Sequence, residues 1–245
     1  MKYTLENSGL RMEAEFSENN VKEIFLPLLE RLTAIQRQKG RRALALMAAP
    51  PGSGKSTLAA FLQHLSRATP GLCPMTALGM DGFHRTHADL AAHTVLRDGE
   101  TIPMTRIKGA PETFDLKGLT AAVARVAAGE DCGWPRYDRL LHDPVQDAQR
   151  VSGDLVLIEG NYLLLDEDGW RDLRNYADYT IAIQADPDQL RDRLIPRHVE
   201  SGKSPEDARR MVEKSDMANA RLCLERTLPA DLRLWLCPDG SFRLM

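Results

Sequence analysis

Apolar positions along the chain alternate between stripes at helical spacing and short continuous runs. A stripe runs through residues 21–38, where Pro27 is expected to kink or split the helix. Short apolar runs at residues 43–48, 73–80, 155–158, 179–184 and 232–236 predict strands. The first run is rich in Ala and Leu and would equally suit a helix; it is assigned as a strand because of the loop that follows it. Strands that alternate with helices predict an α/β fold with a parallel sheet.

Capping residues predict where several helices begin. Asp115 precedes an apolar stripe that Gly129 ends, and Asp186 and Ser204 each precede a proline at the first helical position. Asp168 is expected to cap a further short helix. Pro196 is expected to break the helix that starts after Asp186.

The chain is expected to form a single domain over residues 1–245. Within it, three stretches are expected to have separate roles. Residues 21–40 form an N-terminal helical segment, and residues 187–215 form an arginine-containing lid region. Residues 82–150 are largely polar and interrupted by Gly and Pro, which is typical of a substrate-binding insertion.

Composition excludes some partners. The chain has 245 residues, 43% of them hydrophobic and 27% charged, with a net charge of -3. Nucleic-acid binders usually carry a basic excess, so neither a nucleic acid nor a membrane is expected as a partner. The four cysteines lack metal-binding spacing, and no apolar run suits a signal sequence or a membrane helix, so a cytoplasmic protein is expected.

A phosphate-binding loop is predicted at residues 49–57, between the first strand and an amphipathic helix. Glycines there allow successive backbone N–H groups to face an anion, at the positive end of the helix. Lys55 would reach the β- and γ-phosphates of a nucleotide and Ser56 would hold Mg²⁺. Ala49 stands where the motif has its first glycine, and a Gly/Ser-rich turn with an accidental lysine is the alternative. The residues assigned to the nucleotide are Pro51, Gly52, Ser53, Gly54, Lys55, Ser56 and Thr57.

Two acids follow later strands of the predicted sheet, at the edge where ligands bind in parallel sheets. Asp81 is the candidate to accept a proton from a hydroxyl, or alternatively it caps the turn before Gly82. Glu159 is the candidate to hold a metal ion, or it is an ordinary acid at a strand end. Arg193 and Arg197 share a helix face and would close on a γ-phosphate, although a solvated face is equally consistent with their spacing.

Polar residues in the loops above the same edge are candidates to bind a phosphate acceptor. Each alone would more often be an ordinary surface residue. They are His84, Arg85, Arg106, Lys108, Tyr137, Asp138, Arg139 and His142.

The ordered motifs resemble the phosphoribulokinase, uridine kinase and pantothenate kinase superfamily, and within it the branch described as fructose transport system kinases. The resemblance spans about residues 42–221. It is carried by the segments at 51–57, 80–84, 108–115, 137–139 and 158–165. It implies a three-layer P-loop fold, MgATP as donor, Asp81 as catalytic aspartate, Glu159 in the second nucleotide motif and a lid near residues 193–203. The segment at 219–221 resembles a late motif on the nucleotide side, and the resemblance makes a homodimer plausible.

The sequence therefore predicts an ATP-dependent kinase that phosphorylates a hydroxyl group of a small molecule, with a sugar favoured. A nucleoside kinase or a pantothenate-type kinase of the same fold is the first alternative. A regulatory ATP-binding switch is an alternative from another class.

Overall fold

The computed structural model describes residues 2–7, 10–97, 99–138 and 141–245. Its strands are β1 (Lys2–Asn7), β2 (Leu10–Glu15), β3 (Ala43–Ala48), β4 (Met75–Gly79), β5 (Thr94–Arg97), β6 (Glu100–Pro103), β7 (Cys132–Asp138), β8 (Asp143–Val151), β9 (Leu155–Gly160), β10 (Tyr179–Ala185), β11 (Leu232–Leu236) and β12 (Phe242–Leu244).

Helices connect these strands and cover the central sheet. They are α1 (Glu18–Asn20), α2 (Leu26–Lys39), α3 (Lys55–Ala68), α4 (His87–Ala92), α5 (Leu116–Ala127), α6 (Pro187–Glu200), α7 (Pro205–Met211) and α8 (Met217–Arg226). Turns of π-helix cover Val21–Phe25 and Val212–Asp216, and 3₁₀ turns cover Met80–Phe83, Met104–Ile107, Pro111–Thr113 and Arg171–Tyr176.

The central sheet is six-stranded, in the order β12-β11-β10-β3-β9-β4. Its strands run parallel from β4 to β11, and β12 is antiparallel at the outer edge. The carboxyl ends of the parallel strands therefore share one edge, which we call the C-terminal edge. All the strands predicted from the apolar runs are present.

Side chains of β3 alternate between two hydrophobic cores. Ala43, Ala45 and Met47 pack with α2, α3 and α6, whereas Leu44 and Leu46 pack with α5 and the residues after β9. Helices on both faces of a buried parallel sheet make the three-layer α/β fold that the sequence predicts.

Three predicted helix caps are confirmed. The side chain of Asp115 accepts a hydrogen bond from the Gly118 N–H at 2.9 Å. Asp186 accepts from the Asp188 N–H at 2.8 Å, and Ser204 accepts from the Asp207 N–H at 3.1 Å. Each oxygen satisfies a backbone donor that has no partner within its helix.

Two predictions about helix ends are wrong. Asp168 caps no helix: it lies exposed before the 3₁₀ turn and forms an ion pair with Arg171. Pro196 does not break α6, which continues to Glu200: Pro196 is exposed, and buried Leu190 and Leu194 hold the helix against the core.

The helix around Pro27 is not split: the chain stays helical from Glu18 to Lys39, with a π turn that ends at Phe25 directly before α2, and the predicted kink stays a prediction. The hairpin of β1 and β2, and strand β12, were not predicted. The backbone of β12 is held by Asn20, whose side-chain amide donates to the Phe242 carbonyl at 2.7 Å and accepts from the Phe242 N–H at 2.8 Å.

The polar stretch at residues 82–150 contains two antiparallel hairpins, β5–β6 and β7–β8, outside the central sheet. The limits assigned to this insertion and to the lid stay predictions. The four cysteines are free thiols. Within the described residues, no helix is both long enough and apolar enough to cross a membrane.

Candidate active site

The phosphate loop, residues 49–57, leaves the C-terminal edge directly after β3 and leads into α3. Gly52 and Gly54 have φ values of 81° and 82°, in the left-handed region that favours glycine. Ala49 is 2% exposed and its N–H donates to the Gly160 carbonyl at 3.2 Å. The position that is glycine in the motif thus holds a small buried residue tied to β9, and the loop forms without the first glycine.

The loop fits a bound phosphate. The hydroxyl of Ser53 is buried and has no hydrogen-bond partner among the described residues. A Cβ atom on Gly52 would lie 3.0 Å from Leu194 Cγ, and one on Gly54 would lie 3.2 Å from Arg193 Nη2. These glycines keep the cradle open beside α6, and the start of α3 adds the partial positive charge that anions prefer.

Asp81 lies in the 3₁₀ turn that follows β4. Its carbonyl accepts a hydrogen bond from the His84 N–H at 3.2 Å and lies 2.9 Å from His84 Nδ1. Burial lowers the pKa of His84; Asp81 opposes that change, while Lys108 and Lys55 add to it. The segment that carries the candidate catalytic acid is therefore in direct contact with the imidazole of His84.

Glu159 lies at the end of β9, between the strands that carry the phosphate loop and Asp81. It is opposite Met47 on one side and Gly79 on the other, and only 8% of its surface is exposed. A Cβ atom on Gly79 would come within 3.3 Å of Glu159 Oε1, so the glycine makes room for the carboxylate. A buried acid at this position suits a metal ion with oxygen ligands.

Helix α6 places Arg193 beside the phosphate loop. Partial burial lowers the pKa of Arg193, although the residue as a whole remains exposed. Arg197 is exposed one turn further along the helix. Arg191 instead forms ion pairs with Asp188 and Glu213, so its role is to hold the helix.

The predicted acceptor residues His84, Tyr137 and Lys108 are in contact with one another. The ring of His84 lies 5.1 Å from that of Tyr137, and Lys108 Nζ lies 5.0 Å from the centre of the Tyr137 ring. Lys108 also donates to the backbone carbonyl of His142 at 2.9 Å. The cluster joins the end of β4 to residue 108 and to the β7–β8 hairpin.

The other predicted acceptor residues differ in what they do. His142 contributes its backbone carbonyl to the cluster. Its side chain is exposed, and its backbone φ is 56°. Arg85 donates to Asp89 at 3.2 Å and lines a cleft of about 680 Å³ with Met104, Phe114 and Trp170. Phe114 lines that cleft, and no residue of the phosphate loop does, so the cleft is separate from the phosphate-binding part of the site. Arg106 is exposed, and Arg139 lies outside the described residues.

Two residues that sequence reasoning did not assign support this site. The buried hydroxyl of Tyr162 donates to the Gly109 carbonyl at 2.7 Å, and burial raises the pKa of Tyr162. Burial also raises the pKa of Cys223 to about 12, with Lys55 opposing, and the Cys223 thiol of α8 donates to the Asn161 carbonyl just after β9 at 3.4 Å. Tyr162 lies within the segment 158–165 that also contains Glu159, so its position gave a signal, whereas Cys223 gave none.

Asn219, matched from the sequence to a nucleotide-side motif, is buried next to Gly109, and its predicted role stays a prediction. It is 7% exposed, and a Cβ atom on Gly109 would be 3.3 Å from its Nδ2. The helix that carries it thus contacts the same segment as Tyr162.

Comparison with known proteins gives one relative that matches nearly the whole chain and others that match a shorter part of it. An uncharacterized protein, YggC of Escherichia coli K12, is 37% identical over 243 residues, which is 99% of this chain and 98% of the relative. A putative uridine kinase of Schizosaccharomyces pombe is 28% identical over 200 residues, covering 79% of this chain and 83% of the relative. No protein-family model matches the chain.

A solved structure agrees with these relatives. The putative fructose transport system kinase from Silicibacter sp. TM1040 superposes with a TM-score of 0.71 at 32% identity, covering 82% of this chain and 98% of the other. The resemblance drawn from the motifs is confirmed: the chain belongs to the phosphoribulokinase/uridine kinase/pantothenate kinase-like family of P-loop kinases.

Proposed function

We propose that this protein transfers the γ-phosphoryl group of MgATP to a hydroxyl group of a small molecule, with a sugar as the favoured acceptor. The observation that carries the proposal is the meeting of three features at one sheet edge. Lys55 follows β3, Asp81 follows β4 and Glu159 ends β9, which lies between those two strands.

On this proposal each group has a distinct task. Lys55, the buried Ser53 hydroxyl and the N–H groups of residues 51–57 bind the phosphates, while Ser56 and Glu159 hold Mg²⁺. Asp81 orients the acceptor hydroxyl and takes its proton. Arg193 is our choice over Arg197 for the charge that develops on the transferred group, because its guanidinium adjoins Gly54. MgATP supplies the phosphoryl group and the metal charge when it is bound.

The acceptor side supports a small polar molecule. His84, Lys108 and Tyr137 present hydrogen-bonding groups and ring faces next to Asp81. The fructose transport name of the similar solved structure favours a sugar, whereas the uridine kinase name of a more distant relative favours a nucleoside.

An acceptor screen tests the proposal. Sugars, nucleosides and pantothenate would be offered with MgATP, and ADP formation would be measured with a coupled assay. We expect ADP release that depends on one class of acceptor, with the sugars responding most strongly. A response confined to nucleosides or pantothenate would replace the sugar proposal.

The same assay separates a kinase from a regulatory switch. A switch would release ADP slowly at a rate that no acceptor raises, whereas a kinase needs its acceptor for turnover. Identical ADP release with and without every acceptor class would contradict the proposed phosphoryl transfer.

A further inference from the structure

The π turn Val212–Asp216 contacts both sides of the candidate site. On its first side it meets α6: Arg191 donates to Glu213 at 2.6 Å, and His198 Nε2 donates to Asp216 at 2.8 Å. These contacts hold α6 before and after Arg193, the residue beside the phosphate loop. The orientation of α6 over that loop therefore depends on the π turn.

On its second side the π turn meets the acceptor loop, residues 108–113. The hydroxyl of Ser215 lies 3.5 Å from the Lys108 carbonyl, at the outer limit of a hydrogen bond. Helix α8 continues directly from the turn and brings buried Asn219 against Gly109. Since the Lys108 side chain covers Tyr137, a shift of the turn would reach the acceptor cluster.

The contact of α6 with the phosphate loop is close enough to respond to a ligand. Leu194 and the Leu190 carbonyl lie 3.0 Å and 3.2 Å from the point where a Cβ on Gly52 would sit. A nucleotide in the loop would thus favour one position of α6. A π-helical turn widens the helix locally and is often found at functional sites.

We propose that the π turn couples nucleotide binding to the acceptor loop, with the His198–Asp216 pair as the positioning contact. The pair is largely shielded from solvent, since only 17% of the His198 side chain and 22% of the Asp216 side chain are exposed, and this shielding suits a positioning contact. Binding at one site then changes the affinity of the other by the same factor, since such coupling is reciprocal. This inference rests on the proposed function, because it takes the ligand of the phosphate loop to be a nucleotide.

Hydrogen exchange read by mass spectrometry tests the coupling in the full chain, with MgADP and a non-hydrolysable ATP analogue as probes. In the wild type we expect either probe to slow exchange in the phosphate loop and, by about fivefold or more, in the acceptor loop. In Asp216→Ala the phosphate loop should still respond while the acceptor loop no longer does. Asp216→Asn keeps a hydrogen-bond acceptor and should restore part of the response.

Controls separate coupling from loss of structure. Asp192→Ala removes an exposed carboxylate from α6 and should behave as the wild type. If Asp216→Ala does not fold, His198→Ala removes the same contact from the other side, and His198→Gln keeps a donor. An acceptor loop that ignores the nucleotide in the wild type, or that responds equally in Asp216→Ala, would overturn the coupling. A phosphate loop that ignores both probes would instead refute the nucleotide site of the proposed function.

Discussion

The nucleotide side and the acceptor side of the candidate site are built differently. The nucleotide side comes mainly from one continuous segment, in which a fully buried strand, a glycine-containing loop and a long helix follow one another. The acceptor side draws His84, Lys108, Tyr137 and the His142 carbonyl from separate segments, joined by a ring contact and a side-chain-to-backbone hydrogen bond. The first arrangement is local in sequence, and the second depends on tertiary contacts.

This difference separates the part of the site that binds phosphate from the part that selects the acceptor. Phosphate binding needs the same backbone geometry whatever the acceptor, so it lies on the sheet itself. The β5–β6 and β7–β8 hairpins lie outside the sheet; Trp134 and Val151 of the second hairpin are buried in the core, whereas the exposed hairpin residues can change without disturbing it. Acceptor choice in this chain should therefore follow the hairpins.

The largest effect is expected at the point where the two sides meet. Asp81→Asn removes the candidate base while keeping the shape of the side chain, so kcat should fall by about 10²–10⁴-fold. Nucleotide affinity, measured by titration calorimetry, should change little. Asp154→Asn alters an exposed acid just before β9, at the opposite edge of the sheet, and should keep full activity. Near-normal turnover of Asp81→Asn would remove Asp81 from its role.

A second substitution acts directly on the nucleotide side. Gly52→Ala forces a side chain into a left-handed φ of 81° and against Leu194, so the Kd for MgADP should rise by about tenfold or more, the equivalent of at least about 1.4 kcal/mol. Gly71→Ala is the matched control, because Gly71 has a φ of 86° but open space around its Cβ position. Both variants should lose about 1–2 kcal/mol of stability in urea unfolding. Equal nucleotide affinities in the two would contradict the proposed packing of α6 on the loop.

The corresponding substitution on the acceptor side is Gly109→Ala. Gly109 has a φ of 97°, and an added Cβ would press on Asn219 at 3.3 Å. We expect the KM for the acceptor to rise several-fold, by up to about tenfold or 1.4 kcal/mol, while the Kd for MgADP is nearly unchanged. Gly129→Ala, at a φ of 87° with nothing within 4 Å, carries the same backbone strain away from the site. A nucleotide defect in Gly109→Ala without an acceptor defect would reverse the assignment of the two sides.

The smallest effect is a pH dependence of stability at the boundary between the sides. Burial lowers the pKa of His84 below its ordinary 6.5. Just below pH 6.5 the unfolded chain therefore binds a proton at this imidazole, whereas the folded protein does not. The free energy of unfolding should decrease as the pH falls from about 6.5 to the pKa of His84 in the folded protein. The total decrease is about 1.4 kcal/mol for each unit by which folding lowers that pKa. Urea unfolding at pH 7.5 and pH 6 measures this change.

Two variants isolate the histidine responsible. His84→Gln should remove this part of the pH dependence, whereas His87→Gln, at an exposed position, should leave it intact. An unchanged slope in His84→Gln would mean that the imidazole titrates alike in the folded and unfolded chain.

The sheet and the phosphate loop could be predicted because their signals are local. An apolar run before Gly52, Gly54 and Lys55 specifies a strand, a loop and a helix, and caps such as Asp115 and Asp186 need only the next few residues. The shared edge of Asp81 and Glu159 followed from the rule that parallel strands end on one side.

Other features depended on contacts that capping rules and periodicity do not specify. The carboxylate of Asp168 pairs with Arg171, three residues further on, instead of capping a helix, and the effect of Pro196 was decided by the packing of Leu190 and Leu194 on the core. The link from α6 through Asp216 to Lys108 spans separate segments and a π turn that no sequence periodicity indicates. Acceptor chemistry is the least predictable part for the same reason.

The hold of Asn20 on Phe242 has a consequence for solubility. The Asn20 side-chain amide makes the same two hydrogen bonds to the Phe242 backbone that a neighbouring strand would make at that position. The last strand is thereby shielded at Phe242 from pairing with a foreign polypeptide, a common route to fibrous aggregation. Replacing Asn20 would leave the backbone N–H and carbonyl of Phe242 open to pairing with a strand of another chain.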